Sequence, residues 1–495
     1  MPLSNLRGIL VVVIISLVCM SRTTIREQIL LNAWHRIQQT SFSQPSEQDM
    51  FEGALEGMTA KLRTKYGDQY SAYENATQQQ KNRENIDNQL VGLGVLLVPM
   101  GESDGVQLFP LPDSPALKAG VQYGDLLLKI EDDDVTGLSP SAISKKLEGQ
   151  ADTNVTLQVH RVVADPETGS ETDNDTEVTV TRARMHLPSV LGDRLNRDGS
   201  RCYTLETASD IGYLSVNKTF SDSTPSEIAT ALEELNKSQD IRGVILDLRG
   251  NPGGYLTAAV GVCSLFLNEG VIVTTKQRNF SDTITARGTA IWDKPVVVLM
   301  DSMSASAAEI VAACLQDHGI AVVVGTRSYG KGTVQEMVKL PLNMGTIRLT
   351  KSEYFRPSEK NINRGNKDDD DEWGVMPNDG YTLELSERQA VVTYRIRNLR
   401  SIIPGEELTR QMDRLIAQVN ADEPEPDDDS PMLLDDGGPT FELPPNEAES
   451  SGNAKKPFVL KGTAPYFDPQ LDLAVDYLVQ SHLNDVRFQA EKQAN

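Results

Sequence analysis

The chain has 495 residues, which is too long for one hydrophobic core, since single cores stop growing near about 250–300 residues. It carries 47 Lys and Arg against 71 Asp and Glu, a formal net charge of −24. This balance argues against nucleic-acid binding, because the phosphate backbone is bound by basic surfaces. Four cysteines and five scattered histidines, without the spacing of metal ligands, indicate neither a disulfide framework nor a metal site.

The N-terminus contains an apolar run, residues 9–20 (ILVVVIISLVCM). Its length fits the hydrophobic part of a signal peptide and falls short of the ~20 residues of a membrane span. No A-x-A cleavage site follows. A signal peptide and an uncleaved membrane anchor over residues 1–21 therefore both stay open, with a buried core helix as the third possibility. The first two predict export, to the periplasmic side of the inner membrane or beyond.

Residues 25–88 form the next predicted region. Apolar residues at helical spacing between 25 and 66 predict helices. Residues 25–88 as a whole are predicted to be an N-terminal helical region, in which a polar, Gln-rich stretch from Glu74 to Asn88 is a connector.

Residues 89–184 contain short predicted strands and one helical piece, SAISKKLEG. Their order resembles a PDZ domain, with S-P-A…A-G-V…G-D between residues 114 and 125, although an unrelated β-domain is the alternative. Such a domain adds an extended peptide to a sheet edge and holds its terminal carboxylate on backbone amides. The residues predicted to bind the peptide are Gly92, Leu93, Gly94 and Val95.

Residues 186–400 alternate apolar strands with helices, the pattern of a layered α/β domain, and this domain is predicted to extend over 186–420. The segments 347–355 (IRLTKSEYF) and 381–396 (YTLELSERQAVVTYRI) are predicted strands. Residues 421–450 hold eleven acids, six prolines and no Lys or Arg. This composition predicts a linker over 421–456, because it cannot bury enough apolar surface to fold. An amphipathic helix is expected within 465–495.

Two segments of the α/β region have the composition of a catalytic site. The first is D-L-R-G-N-P-G-G at 247–254, where a buried strand meets a glycine-rich turn before a helix. Its amides are candidates to hold an anion or an oxyanion, although a simple tight turn would have the same sequence. The second, S-M-S-A-S-A-A-E at 302–309, precedes an apolar helix. Ser306 and Glu309 have the spacing of a capping box, the structural alternative to a catalytic role.

A third segment, T-R-S-Y-G-K-G-T-V-Q at 326–335, follows another strand. Gly325, Gly330 and Lys331 have P-loop spacing, but Gly332 replaces the Ser or Thr that binds magnesium, and the continuation alternates like a strand. A nucleotide site is therefore rejected. Ser306 and Lys331 suggest instead a Ser–Lys dyad, in which burial must lower the lysine pKa from about 10.4 toward roughly 7–8.

Taken in order, the segments from about Met50 to Arg400 resemble the C-terminal processing peptidases, or tail-specific proteases. The resemblance implies a serine endopeptidase with a crotonase-like α/β core, an inserted PDZ domain, protein or peptide substrates with free C-terminal tails, and no cofactor or metal. It implies Ser306 as nucleophile, Lys331 as general base and Gln335 as the residue that orients the lysine. The oxyanion hole would comprise the amide of Ala307 and one from Gly253 or Gly254.

The sequence departs from the family pattern near residue 377. Pro377 is followed by Asn378 where the family usually has Asp, and five acids at 368–372 lie just before this Pro-Asn pair.

The competing interpretation of the function is an inactive PDZ scaffold or peptide-binding protein of the cell envelope. Much of the acid excess lies in 421–450 and 368–372, outside the catalytic motifs, so the charge excludes nucleic acid without identifying a substrate.

Overall fold

The computed structural model describes residues 24–99, 105–164, 171–196, 199–216, 218–365, 367–368, 371–403 and 468–494. The apolar run at 9–20 and the linker at 421–456 lie outside the described residues. In the described part of the chain, no helix is both long enough and apolar enough to span a membrane.

Helices and strands are numbered in chain order. The helices are α1 (Ile25–Thr40), α2 (Glu47–Tyr66), α3 (Ala76–Ile86), α4 (Pro115–Ala119), α5 (Pro140–Leu147), α6 (Thr224–Leu235), α7 (Leu256–Ser264), α8 (Ala307–Asp317), α9 (Glu387–Ile402) and α10 (Pro469–Ala494). The strands are β1 (Ala72–Glu74), β2 (Gln89–Gly92), β3 (Val95–Pro99), β4 (Val106–Pro110), β5 (Asp125–Ile130), β6 (Asp133–Asp134), β7 (Asn154–Ala164), β8 (Glu171–Thr181), β9 (Ala183–His186), β10 (Arg194–Leu195), β11 (Arg201–Cys202), β12 (Ile211–Ser215), β13 (Gly243–Asp247), β14 (Val271–Lys276), β15 (Ser281–Thr285), β16 (Val296–Met300), β17 (Ala321–Gly325), β18 (Thr333–Lys339) and β19 (Thr346–Phe355).

The smaller of two compact units comprises the described residues up to Gln79 together with 335–350. Its helices confirm the helical prediction for 25–66, and each begins with a capping box, Thr24 with Glu27 in α1 and Ser46 with Asp49 in α2. Strand β1 pairs antiparallel with the start of β19.

The stretch predicted as a connector at 74–88 contains a helix that its composition did not indicate, α3 over residues 76–86. Asn75 and Gln78 cap this helix reciprocally: the Gln78 amide donates to Asn75 Oδ1 at 3.0 Å, and the Asn75 amide donates to Gln78 Oε1 at 2.9 Å. The prediction relied on apolar spacing, which this polar helix lacks, and missed the capping pattern that starts it.

The larger unit comprises residues 80–334 and 351–494 where they are described. Its first part is an antiparallel sheet in the order β3-β4-β5-β7-β8, with β6 paired to β5. Strand β3 lies at the edge of this sheet and α5 contacts it. A cluster of buried aliphatic side chains fills the space under the sheet, including Leu108, Leu127, Ile143 and Leu157. The predicted strands and the helical piece at 141–149 are thus confirmed, and the sheet edge lies beside a helix as a PDZ domain requires.

The second part is a parallel sheet in the order β12-β13-β16-β17. Its two central strands, β13 and β16, are buried along their whole length. Alternate side chains face opposite sides: Val244, Leu246 and Val298 pack in the cluster with α6, α7 and α8, and Ile245, Val297 and Leu299 pack with α10. Apolar strands covered on both faces explain the continuous hydrophobic runs in the sequence and confirm the layered α/β prediction.

The prediction of a strand at 381–396 is wrong for most of that segment, because Glu387–Ile402 is helix α9. Ser386 caps it, accepting from the Gln389 amide at 3.3 Å while the Gln389 side chain accepts from the Ser386 amide at 2.8 Å. The β-branched run at 391–393 favoured a strand. Ile396, Leu399 and Ile403 follow helical spacing and are buried. Packing in the folded chain therefore stabilises the helix and outweighs the local preference for a strand.

The predicted C-terminal helix is confirmed as α10, which covers one face of the parallel sheet. Leu478 is 0% exposed in that interface. Leu478→Ala is expected to lower the free energy of unfolding by about 2–5 kcal/mol, because a buried Leu leaves a cavity that the sheet cannot fill. Urea unfolding measures the change, with Asp476→Ala on the exposed side of the same helix as the control. A loss similar to the control would contradict this packing.

Candidate active site

The two glycine- and serine-rich segments emerge from neighbouring strands. Strands β13 and β16 pair in parallel, with Asp247 opposite Leu299. Their carboxyl ends therefore meet at one edge of the sheet, the edge where ligands bind in open α/β sheets. Residues 248–254 follow the first strand and residues 301–306 follow the second.

Hydrogen bonds join these two segments closely. Asp301 Oδ1 accepts from the Gly250 amide at 2.9 Å. Ser304 Oγ donates to the Leu248 carbonyl at 2.9 Å, and the Ala305 amide donates to the Asn251 carbonyl at 2.9 Å. The turn after β13 and the loop that carries Ser306 therefore form one rigid element.

Ser306 immediately precedes α8 and has φ 55° and ψ −112°. Positive φ in a residue other than glycine costs about 1–3 kcal/mol and is found mainly where the surrounding structure enforces it at a functional site. The side chain is largely buried, with 8% of Ser306 exposed. The Ser306 position is thus more constrained than a simple helix cap requires.

Gly253 lies so close to this serine that no side chain would fit at position 253. A Cβ at Gly253 would lie 2.7 Å from Ser306 Cβ and 3.0 Å from the Ala307 nitrogen, and the residue has φ 102°. A Cβ at Gly254 would instead lie 2.3 Å from the Phe220 carbonyl oxygen. The structure therefore places Gly253 against the serine and Gly254 against a neighbouring backbone segment.

Glu309 connects the serine to the loop that carries Lys331. Its Oε2 accepts from the Ser306 amide at 2.7 Å and from the Lys331 amide at 2.9 Å. Its Oε1 accepts from Ser328 Oγ at 2.5 Å and from the Gly330 amide at 2.6 Å. One buried carboxylate thereby fixes both segments in a single arrangement.

The environment of Glu309 is unusual for a carboxylate. Complete burial raises its pKa to about 7, although the four hydrogen bonds oppose that rise. No cation is among the causes that shift this pKa. A pKa near 7 places the titration of Glu309 close to neutral pH, and only its ionised form can accept all four hydrogen bonds.

Lys331 lies half-buried in the loop between β17 and β18. The loop continues into a strand and not into a helix, which confirms the rejection of a P-loop. A Cβ at Gly330 would lie 2.8 Å from Trp373 Cε3, and Ser328 Oγ accepts from the Val375 amide at 2.8 Å. Residues 373–375 thus support the lysine loop from its other side.

A buried ionic network lies beneath the turn after β13. Arg249 pairs with Asp247 at 2.7 Å and with Asp468, at the start of α10, at 2.7 Å. Arg397 of α9 also pairs with Asp247. Burial alone would raise the pKa of Asp247, but the charges of Arg249 and Arg397 hold it well below its usual range. The network therefore anchors the glycine-rich turn to both late helices.

The comparisons with known proteins agree with this geometry. A sequence model of peptidase family S41 matches residues 210–372, and a PDZ domain model matches residues 110–161. The carboxy-terminal-processing protease of Bartonella bacilliformis is 33% identical over 324 residues, which cover 64% of this chain and 68% of that protein. The chain belongs to the carboxy-terminal processing protease family.

A second relative has the same description. The carboxyl-terminal-processing protease of Picosynechococcus is 30% identical over 329 residues, 65% of this chain and 73% of that protein. The solved structure of a photosystem II D1 C-terminal processing protease covers 74% of this chain and 94% of that chain at 24% identity, with a TM-score of 0.40. The predicted family, the PDZ domain and the serine endopeptidase activity of this processing protease are confirmed.

The roles assigned to individual residues stay predictions, although several positions are now defined. The Gly253 amide donates to Asn251 Oδ1 at 2.8 Å. Ala307 is the first residue of α8, so its amide has no partner within the helix. Gln335 lies in β18, in the smaller unit, and its predicted role rests on the resemblance alone.

The predicted peptide-binding segment lies where β2 ends and β3 begins. A Cβ at Gly94, which has φ 68°, would lie 2.6 Å from Ser114 Cβ, so this turn requires glycine. Leu93 is buried and its carbonyl accepts from the Ala116 amide at 2.9 Å. Val95 begins the edge strand β3. The predicted segment therefore forms the turn that leads into the edge strand β3.

Sequence reasoning missed two contributors to the site. Glu309 was interpreted only as a possible partner in a cap, although an acid on an otherwise apolar helix face was a usable signal. Asp468 gave no such signal, because its partner Arg249 is 219 residues away in the chain.

Proposed function

We propose that this processing protease cleaves proteins near their C-terminal tails, with Ser306 as nucleophile and Lys331 as general base. The observation that carries the assignment is the Glu309 carboxylate, which accepts from the backbone amides of both residues. A scaffold would have no need for a strained serine fixed to a lysine loop by a buried acid.

In the proposed mechanism, neutral Lys331 takes the hydroxyl proton of Ser306 as Oγ attacks the scissile carbonyl carbon. The negative charge on the carbonyl oxygen is stabilised by the Ala307 amide and a second amide from the Gly253–Gly254 turn. The protonated lysine then gives its proton to the leaving amine as the C–N bond breaks. Water, deprotonated by Lys331, hydrolyses the acyl-enzyme and regenerates Ser306.

The PDZ domain supplies the proposed specificity for tails. An extended C-terminal segment adds as a strand to the edge of β3, with its carboxylate at Gly92–Val95. The apolar run at 9–20 supports a further proposal, that the protein acts in the cell envelope, anchored or exported.

Tail recognition is tested with two 20-residue peptides that share one apolar sequence and differ in a free or amidated C-terminal carboxyl group. We expect kcat/KM to fall by about tenfold or more on amidation, because the amides at Gly92–Val95 lose a charged partner. Equal cleavage of both peptides would contradict a PDZ role in selecting tails. Binding of the free peptide without cleavage would favour the scaffold interpretation.

A further inference from the structure

The guanidinium group of Arg249, at the start of the glycine-rich turn, forms five hydrogen bonds. An arginine side chain has five N–H donors, so each of them has a partner. Nε and Nη2 donate to the two oxygens of Asp247 at 3.0 and 2.7 Å. Nη1 and Nη2 donate to the two oxygens of Asp468 at 3.0 and 2.7 Å, and Nη1 also donates to Gln470 Oε1 at 2.9 Å. Most of these bonds are therefore made to residues at the start of α10.

The charges around Arg249 balance. Arg249 and Arg397 carry two positive charges, and Asp247 and Asp468 carry two negative charges, so the four paired side chains form a neutral group. Burial alone would raise the pKa of Asp468, but the charge of Arg249 holds it below its usual range. Without the Asp468 carboxylate, one buried guanidinium charge would lose its compensation, and Arg249 would be driven toward solvent.

The position of Arg249 sets the position of the turn that borders the nucleophile. The Arg249 amide donates to Asp247 Oδ1 at 3.1 Å, so one carboxylate fixes both its backbone and its side chain. Within the same short turn, a Cβ at Gly253 would lie 2.7 Å from Ser306 Cβ. A shift of Arg249 therefore moves the amides beside the serine, and a displacement of catalytic groups by about 1 Å can cost about a hundredfold in rate.

We propose that Asp468 is a positioning residue for catalysis, which acts through Arg249 on the turn that borders Ser306. Gln470 supports the same guanidinium group. The catalytic turn is thus held in place by a carboxylate that lies 219 residues further along the chain. The inference rests on the proposed function for its kinetic effect, whereas the effect of Asp468 on the turn is measured without cleavage.

Asp468 also caps α10, and the test has to separate this role from positioning. Its Oδ1 accepts from the Leu471 amide at 3.1 Å. Asn and Ser are both good N-cap residues, so Asp468→Asn and Asp468→Ser keep the start of the helix. Asn offers Arg249 one neutral acceptor oxygen, and Ser offers a hydroxyl on a shorter side chain. The two substitutions therefore weaken the pair with Arg249 in two steps while the cap is kept.

Cleavage of a protein substrate with a free C-terminal tail gives the kinetic readout. Asp468→Asn is expected to lower kcat by about fivefold or more and Asp468→Ser by about twentyfold or more, each with KM within about threefold of wild type. The split arises because the turn acts on the transition state and not on substrate binding. Asp476→Asn makes the same change at an exposed position of α10 and should keep kcat within about twofold.

Leu478→Ala is the control for stability. Leu478 packs on Gly243, at the opposite end of β13 from Arg249, so its loss loosens α10 without touching the guanidinium group. Its kcat should stay within about twofold of wild type although its free energy of unfolding falls. Wild-type kcat in both Asp468 variants would overturn the positioning role. A kcat that simply follows the free energy of unfolding across the three variants would overturn it as well.

Hydrogen exchange separates this inference from the proposed function, because it needs no substrate. Amides of residues 249–254 should exchange at least about threefold faster in Asp468→Asn and Asp468→Ser than in the wild type, but within about twofold of wild type in Leu478→Ala. Asp468→Asn, which is nearly isosteric, carries both readouts if Asp468→Ser does not fold. Unchanged exchange in the Asp468 variants would overturn the positioning role even if the wild type cleaves. The exchange response in a protein without cleavage would refute the proposed activity and support the positioning of the turn.

Discussion

Replacing Ser306 by alanine is expected to lower kcat at least about a thousandfold, because no other group takes over the covalent step when the nucleophile is absent. Lys331→Ala should cause a loss of the same order. The double variant should be no worse than either single one, since the two residues act in one proton transfer. The rates are measured on a protein substrate with an apolar tail and a free C-terminus.

Two controls distinguish the chemistry from damage to the fold. Ser302→Ala changes an exposed serine four residues before the nucleophile, and Lys351→Ala changes an exposed lysine on β19. Both should keep activity within about twofold of wild type. Proteolysis at the wild-type rate in either Ser306→Ala or Lys331→Ala would overturn the dyad.

The sequence predicted the layered domain because its strands are apolar on both faces, as in β13 and β16. The secondary structure predicted from the sequence was wrong where the local sequence pattern and the tertiary packing favour different structures. The β-branched residues near Val391 favour a strand, but a Ser386 cap and burial of Ile396 and Leu399 make the segment helical. Helix α3 was missed for the opposite reason, because a polar helix gives no apolar period.

The site was predictable as far as its residues lie in short motifs. Ser306, Lys331 and the pair Gly253 and Gly254 were found from spacing and from the family resemblance, whereas only the structure separates the two glycines. Contacts between distant segments could not be read from the chain, as with Arg249 and Asp468 or with α9 and the PDZ sheet. Such pairs depend on topology, which brings together residues without any shared local pattern.

Glu309→Gln is expected to lower kcat by about a hundredfold, because a displacement of catalytic groups by about 1 Å can cost that much, with KM nearly unchanged. A carboxylate can accept all four donors from Ser306, Ser328, Gly330 and Lys331. A carboxamide has only one oxygen, and its NH2 group would face an N–H or O–H donor. The serine and the lysine loop should therefore separate. Glu233→Gln, at an exposed site on α6, is the matched control.

The raised pKa of Glu309 predicts how stability and activity change with pH. Because the pKa is about 7 in the folded chain against its ordinary value of 4.5, the folded state binds a proton more tightly than the unfolded state does. This contribution to stability is fully present below about pH 4.5, declines as pH rises, and is lost above about pH 7. The rise in pKa corresponds to roughly 3 kcal/mol.

Activity should rise with pH while stability falls, because only the ionised carboxylate of Glu309 accepts from all four donors. Between pH 5.5 and 8, kcat of the wild type should therefore rise while its free energy of unfolding falls relative to Glu309→Gln, which has no group to titrate there. Urea unfolding and kcat measured on both proteins across this range test the two trends together. If the difference in unfolding free energy between the wild type and Glu309→Gln is constant across this range, Glu309 keeps one charge state throughout. The fall of kcat at low pH would then be caused by another group.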